Sequence, residues 1–180
     1  AESITCPTNS AWELREITRR PNGYICLDYD GDGVIEIPAV SNFIGYPAGL
    51  GSGNEYMTMW YTFNTDTSHL DLKSNSYYSL SGGFILTIPN RWLGLVTAKS
   101  DPSTGEVTFY KYDSSVENIE DMTPIISLVS ALDHDADKYG EADGYKLIRQ
   151  TERRQYFVRT LAPEGEQLVL TNDEILDNLY

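Results

Sequence analysis

The sequence predicts a mostly β protein of the α+β class, an antiparallel-sheet structure with few helices. Three observations carry this. Runs of alternating apolar and polar residues recur along the chain, bounded by Gly, Pro, Asn and Asp. Tyrosine, with 13 copies against 5 Phe, suits half-buried sheet faces, where the ring packs and the hydroxyl stays hydrated. The helix formers Ala, Lys and Arg are sparse, and one strong helix-start signal stands near the C-terminal end.

Residues 11–17 alternate as a strand, and the Pro21-Asn-Gly23 turn leads to a second strand over 24–27. Residues 34–37 resume an extended run that Pro38 is expected to end. Residues 38–55, rich in Gly, Pro, Ser and Asn, read as a long loop holding a domain boundary. This separates a β-hairpin unit, 1–45, from a sheet-rich unit, 56–180. In the second unit strands are expected over 56–63, around 70–76, and from 77 through a Gly82-Gly83 kink to Pro89. Further strands are expected over 92–98 and 106–112. The apolar run 125–132 has the length of a buried strand, 133–144 reads as a loop or short helix, and 145–161 reads as a hairpin. Thr171-Asn-Asp-Glu174 fits a capping box, with Ile175, Leu176 and Leu179 as the apolar stripe of the helix it starts.

The net charge of −14 argues against nucleic acid as a partner and against an anionic membrane surface, since both need a basic footprint. No apolar run approaches the roughly 20 residues of a membrane span. No signal peptide is recognisable, so an exported chain is expected here in its mature form. Two cysteines, Cys6 and Cys26, leave either a disulfide or two thiols open.

One segment carries recognisable chemistry. In Asp28-Tyr-Asp30-Gly-Asp32-Gly-Val-Ile-Glu36, carboxylates stand at positions 1, 3, 5 and 9, and the Val34 carbonyl falls at position 7. Gly31 and Gly33 permit the reversal. Calcium takes six to eight oxygens at about 2.3–2.6 Å, and such a loop can wrap it. The expected ligands are therefore Asp28, Asp30, Asp32, Val34 and Glu36. An EF-hand would need an acid at position 12, which here is Ala39. An acidic turn without metal is the plainer alternative, but four carboxylates within nine residues repel one another unless a cation lies among them.

Residues 27–37 resemble the DxDGDGxxE loop of FG-GAP or VCBS-type repeats, the blades of calcium-binding propellers in surface proteins. The likeness spans about residues 11–40, less than one blade. More weakly, Met59-Trp-Tyr61, residues 83–92, Val107-Thr-Phe109 and residues 170–174 resemble the C-terminal region of clostridial-type exported lipoproteins. Residues 83–92 also resemble PsbP-like domains, which implies an α/β/α sandwich. These likenesses imply an extracellular or cell-surface binding module, calcium as its cofactor, a protein or glycan partner and no catalytic residues.

Other constellations are weaker. The 133–137 run surrounds His134 with acids, as a solvated loop or a second metal site would, and His69 stands near Asp66 and Asp71. Tyr56, Trp60, Tyr61, Tyr77, Tyr78 and Trp92 would make either core or a platform for sugar rings. No nucleophile motif appears, so the enzymatic alternative is a hydrolase of glycan or cell wall working with carboxylates alone.

Overall fold

The computed structural model describes residues 22–51, 53–67 and 69–180. The strand expected over 11–17, and Cys6 with any bond it makes, lie outside them. Two antiparallel sheets account for most of the regular structure, as the sequence predicts. The first runs in order β1 (Ile37–Asn42), β2 (Tyr56–Asn64), β3 (His69–Ser79) and β4 (Phe84–Thr87). The second comprises β5 (Val96–Ser100), β6 (Val107–Lys111), β7 (Thr123–Leu132), β8 (Tyr145–Gln150) and β9 (Arg154–Thr160), in order β5-β6-β7-β9-β8. Among the described residues the one α-helix is α1 (Asn172–Asp177), where Thr171 and Glu174 form the expected capping box.

β7 reads in sequence as an apolar run because both its faces are covered. Ile126 and Leu128 join the main core, whereas Val129 and Ala131 pack with Phe157, Tyr145 and Ala136 under the 3-10 segment Asp133–Lys138. The main core joins the two sheets: Tyr77, Phe84 and Leu86 of the first meet Phe109, Ile126 and Val158 of the second, closed by Trp92, Ile175 and Leu179. Trp60, Tyr77 and Trp92 are buried, so these three of the six aromatics serve the interior rather than an open platform.

Two local expectations are corrected. Pro38 does not end the strand that carries it. It is the second residue of β1 and pairs with Trp60. Among the described residues β1 is the outer strand of its sheet, a position at which proline is tolerated. Tyr24–Leu27 is not a full strand either: among the described residues this stretch pairs through one bridge, Leu27 with Glu36. β1 itself pairs along its length with 56–61, which ties the residues before the Gly-rich 43–55 segment to the sheet that follows it.

Glu55 bridges the sheets. It accepts hydrogen bonds from the Tyr77 hydroxyl at 3.1 Å and from the Ser100 amide at 2.9 Å, and a third from the Ser100 hydroxyl. Burial, then the neighbouring Glu55 charge, pushes the Tyr77 phenol far above its ordinary range.

The turn between β3 and β4 depends on Gly82. A Cβ there would lie 2.6 Å from both Phe84 Cε1 and Ser79 Oγ, and both side chains are buried. Gly82→Ala is expected to destabilise the protein by about 1–3 kcal/mol, as overpacking does. Urea denaturation with an unchanged midpoint would show that the turn absorbs the methyl group.

Candidate metal centre

Residues 28–36 form a compact acidic loop whose backbone is folded by its own carboxylates. Asp28 accepts from the Gly31 amide at 2.8 Å and from the Gly33 amide at 3.0 Å, one through each oxygen. Asp32 accepts from the Val34 amide at 2.8 Å. Gly31 and Gly33 have φ of 77° and 85°, in the left-handed region that glycine enters without a Cβ penalty. The reversal read from sequence is therefore present.

The base of the loop is fixed to the first sheet. Leu27 and Glu36 exchange both backbone hydrogen bonds, at 3.2 and 3.0 Å. The Glu36 side chain is fully buried and accepts from the Tyr29 amide through Oε2 at 3.2 Å. The Tyr29 ring stacks on Trp60 with centroids 4.9 Å apart and meets the edge of Tyr180 at 5.3 Å. Its hydroxyl lies 2.6 Å from Ser74 Oγ, and burial raises its pKa. Trp60 in turn donates its indole N–H to Ser76 at 2.7 Å.

Asp28, Asp30 and Glu36 each offer an oxygen within 4.8 Å of the others. Asp32 enters the same constellation through a cation. Lys73 Nζ lies 2.8 Å from Asp30 Oδ2, 2.7 Å from Asp32 Oδ2 and 2.8 Å from Glu36 Oε1. An ammonium ion thus sits where oxygens of three expected ligands converge. Val34, at position 7, is exposed. The donor set consists of hard oxygens, and a lysine ammonium stands in for a cation among them. Hard oxygens are the donor type that calcium and magnesium take.

Electrostatics binds Lys73 tightly. Burial pulls its pKa down, but the hydrogen bonds it donates to Asp30, Asp32 and Glu36 outweigh this and carry it well above the ordinary lysine value. The Lys73 hydrogen bond, followed by that of the Val34 amide, holds Asp32 below the usual carboxylate range. A raised lysine stabilises the fold fully below its unfolded pKa of 10.5, and that contribution disappears as pH rises through the folded value. A lowered Asp32 stabilises above its unfolded 3.8 and loses that contribution as pH falls through its folded value. Both contributions are therefore present across the neutral range.

Sequence reasoning found the loop and missed its surroundings: Lys73, Ser74, Trp60 as a support for Tyr29, and Tyr180. The phase slip in β3 was the available signal. Leu70 and Leu72 alternate, and then Lys73, Ser74, Asn75 and Ser76 follow without an apolar partner.

Elsewhere the candidates disperse. His134 and the acids around it form part of the exposed 3-10 segment, where Asp135 pairs with Lys138 at 2.6 Å and lies 3.3 Å from His134. His69 begins β3, and Cys26 is exposed. A cavity of about 690 Å³ opens beside Tyr24, Tyr78, Leu80, Asp101, Asp135 and Arg154. Its two carboxylates are both held below the usual range. Asp101 owes this to Ser103, and Asp135 to Lys138.

No helix among the described residues is long and apolar enough to cross a membrane. Compared with family models, curated proteins and solved structures, the chain matches none.

Proposed function

We propose that this chain is a calcium-binding, non-enzymatic module of a secreted or cell-surface bacterial protein, and that it makes contacts to a protein or glycan. The observation behind this reading is the convergence of Asp30 Oδ2, Asp32 Oδ2 and Glu36 Oε1 on one cation position. Asp28, Asp30, Asp32, Glu36 and the Val34 carbonyl would hold the ion, with water completing the shell, and its charge would tie the loop to the sheet beneath it. The likeness of residues 27–37 to FG-GAP and VCBS-type loops supports the same reading. The extracellular address follows from chemistry. Open loops of this kind in extracellular modules bind calcium with dissociation constants of about 10⁻⁴–10⁻³ M, a level of calcium found outside cells. The acidic surface fits such a setting.

Titration calorimetry on EDTA-treated protein is the test. Calcium should bind with one-site stoichiometry, and Asp30→Ala should abolish the calcium-dependent rise in melting temperature. At a hundredfold excess over the dissociation constant the stabilisation lost would be about 2.7 kcal/mol. Absence of heat at millimolar calcium would end the reading. An unchanged rise in Asp30→Ala would place the ion elsewhere.

A further inference from the structure

The β2–β3 ladder breaks register where Lys73 stands. Trp60 pairs with Ser74 and Tyr61 pairs with Leu72, so Lys73 is the extra residue of a β-bulge, opposite no partner. In a regular strand, neighbouring side chains point to opposite faces. Here two consecutive residues reach the same loop: Lys73 Nζ contacts Asp30, Asp32 and Glu36, while Ser74 Oγ meets the Tyr29 hydroxyl at 2.6 Å. Bulges re-aim side chains next to sites, and this one aims an ammonium at the acidic loop. The lysine stem also runs by the Tyr29 ring, with Nζ 5.6 Å from its centroid.

We propose that Lys73 is a tethered counter-cation, placed by the β3 bulge, that holds the acidic loop in its folded form without metal and competes with calcium for the same oxygens. The competition rests on the calcium reading above; the counter-cation role does not. Three of the loop's four carboxylates use an oxygen on Lys73, and the same oxygens would face the ion. Calcium can enter only as Lys73 gives up its place. The ammonium then turns to solvent, for which its partial exposure of 23% already provides a route. Lys73 thereby weakens calcium affinity while preserving a loop ready to receive the ion. The site responds to calcium at high concentration instead of retaining it permanently.

The test compares the unmodified protein with Lys73→Met and Lys73→Gln, two variants that keep the stem and remove the charge. Calcium chloride is titrated calorimetrically after EDTA treatment, and melting is followed with EDTA or with calcium. Both variants should bind calcium about tenfold more tightly, since no charged competitor must be displaced. Both should melt several degrees lower in EDTA, and calcium should close that gap. A variant that folds only in calcium, with calcium bound by the unmodified protein as well, would support the proposal equally. Unchanged or weaker binding by both variants, with normal binding by the unmodified protein, would overturn the competition and leave the calcium reading standing. If no form binds calcium, the calcium reading and the competition fall together. A lower melting point of both variants in EDTA would then still support the counter-cation role, and an unchanged one would overturn it too.

Discussion

Trp60→Ala should lower the unfolding free energy by about 3–5 kcal/mol, the range for deleting a buried tryptophan. The indole is fully buried under the first sheet, donates to Ser76 at 2.7 Å and carries the Tyr29 ring on its face. Its removal opens a cavity, strips Ser76 of its partner and takes the floor from under the acidic loop. The loss therefore has a local signature as well as a global one. Amides of residues 28–36 should exchange hydrogen faster than those of β7, which lies in the other sheet. Urea denaturation measures the global term. A loss below about 1 kcal/mol would mean that the site collapses around the gap.

Glu36→Ala is the second large effect. Breaking a buried ion pair by removing one partner costs about 3–5 kcal/mol in the reference cases. Lys73 keeps Asp30 and Asp32 and is partly exposed, so about 2–3 kcal/mol is expected here. Part of that comes from the Tyr29 amide, which loses its acceptor. In a double-mutant cycle with Lys73→Met, the two losses should be clearly less than additive, because both remove the same contact. Additive losses would show that Glu36 stabilises the loop independently of the lysine.

The legible parts of this structure are those specified by residues close in sequence. The apolar run of β7, the β8–β9 hairpin, the capping box at Thr171 and the alternating acids of residues 28–36 each form a local pattern with one physical solution. What escaped depends on distance or on position within a sheet. Pro38 looks like a strand end until it is found within β1, the outer strand of its sheet among the described residues. Glu55, in a Gly- and Asn-rich stretch, gives no sign that it will join Tyr77 to Ser100. Lys73 lies 37 residues beyond Glu36 in an ordinary-looking strand, and only the bulge in the β2–β3 register turns it toward the acids. Four carboxylates called for a cation. The sequence pattern cannot say that the protein supplies one of its own.

The edge contact between Tyr29 and Tyr180 also sets an order of events during synthesis. Tyr180 reaches the loop because residues 178–180 extend the first sheet beside β4: Ile85 and Tyr180 exchange backbone hydrogen bonds at 2.9 Å, and the Thr87 amide donates to Asn178. About 150 residues separate the two rings in sequence, and at about 5–20 residues per second the ribosome takes about 8–30 s to bridge that gap. Lys73 emerges far sooner. Of these two contacts to the nascent loop, the Lys73 charge becomes available first and the Tyr180 ring later.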